Sequence, residues 1–103
     1  MDQNVNVGLL VRLEARPGQE AALQAFLEGA LPLANEEALT TVWFALKIGP
    51  STFGIFDAFP SDEGRAAHIA GVIADKLRAQ GPDLLARKPL VEPVDVLVAK
   101  LPG

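Results

Sequence analysis

The stretch Thr41–His68, TVWFALKIGPSTFGIFDAFPSDEGRAAH, decides the fold of this chain. Val42, Phe44, Leu46 and Ile48 fall on one face of a strand and Trp43, Ala45 and Lys47 on the other, until Gly49-Pro50 signals a turn. The return run from Thr52 to Phe59 is rich in β-formers, with Phe53, Ile55, Asp57 and Phe59 on one face and Thr52, Gly54, Phe56 and Ala58 on the other. The two runs form a hairpin. Proline at the first corner of its turn sets Trp43 opposite Ala58 and Ala45 opposite Phe56. Any other even-length loop moves the pairing without exchanging the faces. One face then holds Trp43, Ala45, Gly54, Phe56 and Ala58, two large rings beside three small positions. That gap reads either as the seat of a closely packed helix or a bulge, or as a flat, aromatic-walled pocket for a small ring-shaped ligand.

Working outward, Val5, Val7, Leu9, Val11 and Leu13 recur with a period of two, a first strand that Arg16-Pro17-Gly18 ends. Gln19 to about Leu31 carries Leu23, Phe26, Leu27, Ala30 and Leu31 at helical spacing, and Pro32 ends that helix. A loop through Asn35-Glu36-Glu37 leads into the hairpin. Beyond it, Ser61 or Asp62 caps a second helix, with Asp62 and Glu63 at the positive end of its dipole. Its buried stripe runs Ala66, Ile69, Ala70, Ile73, Leu77, and Gly81-Pro82 stops it. Asp83–Arg87 adds a short helical turn. Val91, Val94, Val96, Leu97, Val98 and Leu101 then make a last strand, which Pro93 assigns to an edge or a bulge.

The order β-α-β-β-α-β is the ferredoxin-like arrangement, an α+β fold with both helices on one face of an antiparallel sheet. Its strands are apolar on both faces, with Leu10 beside Val11, Trp43 beside Phe44, Ile55 beside Phe56 and Val96 beside Leu97. Since the helices shield only one face, the economical cover for the other is a second copy packed sheet to sheet, a homodimer.

Composition narrows the class. At 103 residues the chain is one domain, 1–103, and with half its residues hydrophobic and only 21% charged it has apolar surface to bury against a partner. A net charge of −4 with nine scattered basic residues argues against nucleic acid. The absence of cysteine excludes disulfides and thiolate chemistry and suits a reducing cytoplasm. The N-terminus MDQNVNVG has no apolar signal-peptide core, and no run approaches the roughly 18 apolar residues of a membrane span. The expectation is a cytoplasmic protein.

The opening strand followed by R-P-G-Q-E, the element order and above all the segment from Trp43 to His68 resemble the antibiotic biosynthesis monooxygenase family of dimeric α/β-barrel proteins, in a subgroup without assigned reactions. The resemblance covers essentially the whole chain. It implies an oxidoreductase, a cofactor-independent monooxygenase acting on a small aromatic or quinol-type substrate. The alternative is a non-catalytic, ligand-binding or stress-related dimer on the same fold. The chain has no Tyr and lacks the polar set of the aromatic polyketide oxygenases. Against the haem-degrading branch, Val11 stands where an Asn is expected, His68 where a Trp is expected and Arg78 where the haem-ligating His is expected. Neither haem nor another cofactor is implied.

A cofactor-free oxygenase needs a base, orientation and an apolar enclosure. His68, whose ordinary pKa near ~6.5 suits proton transfer, lies about 120° from the centre of the helix stripe, and reads as a catalytic base or as a partly exposed capping residue. Asp57 sits on an apolar strand face and needs a partner. Arg65 or Arg12 would supply a structural salt bridge; otherwise Asp57 is a base or hydrogen-bond acceptor at a pocket mouth. Trp43 and Phe56 are core residues or the walls of the substrate site. Arg65 is a solvated first-turn residue or the group that holds a phenolate. Glu36-Glu37 reads as a solvated loop. Ser51 and Ser61 lack a triad, and one His without Cys makes no recognisable zinc constellation.

Overall fold

A computed structural model describes residues 4–102. The chain runs β1 (Val7–Glu14), α1 (Glu20–Gly29), α2 (Leu31–Asn35), β2 (Val42–Lys47), β3 (Thr52–Phe59), α3 (Asp62–Ile69), α4 (Val72–Leu84) and β4 (Leu90–Asp95). The four strands form one antiparallel sheet in the order β2-β3-β1-β4. This is the expected ferredoxin-like α+β arrangement, with each of the two helical segments divided into a pair. The edge position foreseen for the Pro93 strand is where β4 lies. That strand ends at Asp95, however, and Val96–Pro102 runs on without strand structure, leaving Leu97 and Val98 exposed.

Leu9, Val11 and Leu13 of β1 and Phe53, Ile55 and Phe59 of β3 alternate onto one face, where they pack with Leu23 and Leu27 of α1 and with Leu84 and Leu85. A smaller cluster of Ala30, Ala34 and Ile73 joins α2 to α4, and Trp43 packs against both clusters. Among the described residues no helix is long and apolar enough to cross a membrane.

The hairpin departs from expectation by one residue. Val42 pairs with Ala58, Trp43 with Asp57, Phe44 with Phe56 and Ala45 with Ile55. The loop between the paired Ile48 and Thr52 holds three residues because the N–H groups of Ile48 and Gly49 both donate to Thr52 O, at 2.8 and 3.1 Å. Tertiary contacts fix this odd length: the Ser51 hydroxyl donates to Glu14 Oε2 at 2.5 Å, and Ser51 O accepts from Ala15 N at 2.8 Å. An odd loop exchanges the faces. Trp43 therefore stands with Asp57 on the helix side, while Phe56 stacks on Phe44 on the opposite face, with ring centroids 6.5 Å apart. The wall of Trp43 and Phe56 expected from the sequence does not exist. The space beside Gly54 belongs to the opposite face too, where a Cβ on Gly54 would lie 3.2 Å from Ile48 Cδ1 and 3.0 Å from Val11 O.

The second helical segment also differs. It breaks at Ala70-Gly71, where Gly71 is extended and starts α4, and it continues through Gly81-Pro82 to Leu84 rather than stopping there. The chain holds the last turn because Leu84 and Leu85 are buried in the core and Arg16 N donates to Leu84 O at 2.8 Å. The break resets the helical phase. Gly64 and His68 face inward on α3, and Ala66, Ile69 and Ala70 face solvent.

Candidate functional site

Asp57 is placed by β3 on the buried face, fully enclosed, among the apolar side chains that make the core. A carboxylate there requires a counter-charge, and the structure supplies it from α3. His68 Nε2 lies 2.9 Å from Asp57 Oδ2. The pair is held by charge, and Asp57 Oδ1 has no hydrogen-bond donor among the described residues. The basic partners expected from the sequence are elsewhere. Arg12 lies on the opposite sheet face, paired in register with Gly54. Arg65 donates to Gly8 O at 3.3 Å, to Val94 O at 3.4 Å and to Asp62 Oδ1 at 2.8 Å, which ties α3 to the β1–β4 pair. Arg65 is thus a structural tie and does not reach Asp57.

His68 meets a second carboxylate. Its Nδ1 is 2.5 Å from Glu37 Oε1, and the same oxygen accepts from Thr40 Oγ1 at 2.7 Å. Glu37, expected as a solvated loop residue, is drawn inward because the loop from α2 to β2 passes over α3. Gly71 makes room for it: a Cβ there would come within 3.3 Å of Glu37 Oε2. A carboxylate can only accept a hydrogen bond, so a ring with one carboxylate at each nitrogen is held in the doubly protonated form. Burial alone would lower the His68 pKa, but the contacts with Asp57 and Glu37 outweigh it and push the pKa up to about 9. At neutral pH His68 is an imidazolium, not the free base expected from its ordinary value. The ring also packs on Phe59, with centroids 5.4 Å apart.

A cavity of about 840 Å³ lies between the sheet and α4 with Asp57 and His68 among its lining residues, Asp57 behind the surface and His68 at its edge. Leu9, Val11, Ile55, Ile73, Leu77 and Leu85 give it an apolar wall. Arg16, Arg78, Arg87 and Lys88, all exposed, stand around it as well. Val11, His68 and Arg78 all line it. Trp43, Phe56 and Arg65 are not among its lining residues. Trp43 is a packing residue whose indole N–H is buried without an acceptor among the described residues. A second hollow, of about 240 Å³ between α1 and α4, has Lys76 as its one titratable side chain. Among the described residues no cluster of three or more His, Cys, Asp or Glu side chains could hold a metal ion.

The architecture is similar to that of solved proteins. No family model and no curated protein matches the sequence. NE2512 from Nitrosomonas europaea, a protein of unknown function, is 58% identical over 96% of both chains, with a TM-score of 0.95. The chain belongs to the family of NE2512. Rv0793 from Mycobacterium tuberculosis is 21% identical over 91% of this chain and 97% of its own, at a TM-score of 0.81. A protein described as antibiotic biosynthesis monooxygenase is 12% identical over 89% of this chain and 99% of its own, at a TM-score of 0.77. Members of the NE2512 family therefore have the antibiotic biosynthesis monooxygenase fold, as the Trp43–His68 segment implied.

Proposed function

We propose that this chain is a cofactor-independent monooxygenase, which oxidises a small aromatic phenol or quinol in the cavity beside Asp57 and His68. It would act as a cytoplasmic homodimer closed through the open sheet face. One observation carries the reading: Asp57 Oδ1 is a buried carboxylate oxygen with no protein donor, next to an imidazolium, on the wall of an otherwise apolar enclosure. A ligand hydroxyl that displaces the side chains covering Asp57 would donate to it, and the positive charge of the His68 ring would stabilise the oxyanion left when the proton transfers. The electron-rich carbanion form of the ligand passes one electron to O₂, and the radical pair closes a carbon–oxygen bond. The peroxide anion recovers the proton from Asp57 and eliminates water. In sum R₂CH₂ + O₂ gives R₂C=O + H₂O, with one oxygen atom retained and the other released. The apolar wall excludes water from the carbanion.

The test is O₂ uptake with a panel of quinols. Asp57→Asn should lower kcat at least about 100-fold for any quinol that turns over. The rate should hold through neutral pH and fall as pH rises through about 9, where His68 loses its proton. A rate that climbs over the same range would make neutral His68 the base and overturn these roles. A binding module is favoured by one specific observation, the engagement of both His68 ring nitrogens, which leaves no free imidazole at neutral pH. Quinol binding without O₂ uptake would establish that second reading.

A further inference from the structure

The charge around the cavity is one-sided. The chain has thirteen acidic and nine basic residues, yet Arg16, Arg78, Arg87 and Lys88 line this one cavity, and Asp57 is its only acidic lining residue. His68 is shared between Asp57 and Glu37, which leaves that trio one negative charge, and Arg78 is paired with Asp75, so the cavity's remaining positive charge comes from Arg16, Arg87 and Lys88. Two of the four cations are fixed in place. Arg16 Nε donates to Pro82 O at 2.8 Å, and Arg78 donates to Asp75 Oδ1 at 2.9 Å and Ile69 O at 3.0 Å. Arg87 and Lys88 have no ion pair among the described residues. Glu14, whose charge is felt by Arg87, makes its hydrogen bonds to the Ser51 and Thr52 hydroxyls and no salt bridge to Arg87. Both cations sit on the short connection between α4 and β4, whose backbone is held by Ala86 N donating to Glu14 O at 2.9 Å and by the Ala15–Leu85 bridge.

We propose that the ligand of this cavity is an amphipathic organic acid, its apolar body against Leu9, Val11, Ile55 and Leu77 and its carboxylate held at the mouth by Arg87 and Lys88. A neutral ring would satisfy the wall but leave the unpaired cations Arg87 and Lys88 idle. A carboxylate satisfies both, since a guanidinium fork and an ammonium are matched acceptors of that charge. The volume of about 840 Å³ accommodates a fused-ring body or a medium alkyl chain. This deepens the monooxygenase reading and rests on it only for the hydroxyl placed at Asp57; the carboxylate contact stands on the mouth cations alone.

Equilibrium dialysis against 6-hydroxy-2-naphthoate, whose hydroxyl and carboxylate lie at opposite ends of the ring system, 2-naphthol and laurate tests the proposal with the full chain. The naphthoate should bind about tenfold or more tightly than naphthol at low ionic strength, and that advantage should shrink in high salt because the mouth is exposed. Arg87→Gln/Lys88→Gln should remove the advantage while leaving naphthol affinity and the melting temperature unchanged, since both residues lie on the surface. Laurate binding as tightly as the naphthoate makes the body an alkyl chain and supports the acid head group. Equal affinity for naphthoate and naphthol, an advantage that survives the double substitution, or no binding of any probe overturns it. O₂ uptake separates the two ideas. Turnover of neutral quinols with no preference for acids overturns this inference alone, and acid-selective binding with no turnover overturns the oxygenase alone.

Discussion

On the helix-covered face of the sheet, Asp57 is fully buried beside an imidazolium; on the other face, Phe44 at 52% exposure and Ile48 at 50% stand open. Phe44 and Asp57 lie on two paired strands, β2 and β3, with Ile48 just past the end of β2, and alternation alone separates the two faces. The covered face tolerates Asp57 because the His68 imidazolium, shared with the partly exposed Glu37, lies against it, whereas the open face carries apolar side chains that no helix of the chain covers. The difference teaches that burial and chemistry are not assigned by residue type: Phe56, an aromatic, belongs to the open face, and Asp57, its neighbour, to the enclosed one.

The largest expected effect breaks the covered face. Asp57→Ala leaves the imidazolium with Glu37 as its one remaining carboxylate partner and a void in the core, and should cost about 1–3 kcal/mol in urea denaturation. A loss below about 1 kcal/mol would mean that the ion pair does not hold this face together. Next comes pH. The folded-state His68 pKa of about 9 lies above its ordinary 6.5, so the folded chain binds the extra proton across that window. The stability contributed by His68 is therefore complete below about 6.5 and is lost as pH rises through about 9. The melting-temperature difference between the natural chain and His68→Gln should shrink over that range. A difference constant with pH would contradict the charged pair.

The smallest effect on folding concerns the open face. Phe44→Asp should change the folding stability of a protomer by about 0.5 kcal/mol or less, as a surface substitution does, while converting a dimer to monomers in sedimentation. An unchanged sedimentation coefficient would show that this face is not where copies meet.

Much of this was legible in sequence. Period-two runs located β1, β2 and β3, the element order set the topology, and the isolation of Asp57 on an apolar face announced a buried charge in need of a partner. The partner was not legible, because His68 turns inward only when α3 and α4 are separate helices. The break at Ala70-Gly71 has a glycine as its one local signal, and a continuous helix rotates His68 to the margin. Glu37 was hidden for a different reason. Its loop is drawn in by a contact 31 residues away in sequence, and only an inward His68 gives a carboxylate there a purpose. The hairpin register failed because Ser51 is held by Glu14, a tertiary contact that the Gly49-Pro50 turn signal does not contain.

His68 is the only histidine in the chain, so its ring-proton resonance can be assigned without ambiguity. Following that resonance by NMR through a pH titration is the most direct test of the claim that an imidazolium is clamped between Asp57 and Glu37. The midpoint should lie at about 9 and move down in Glu37→Gln. A midpoint near 6.5 in the natural chain would mean that neither carboxylate holds the proton, and the site would have to be rebuilt around a neutral histidine.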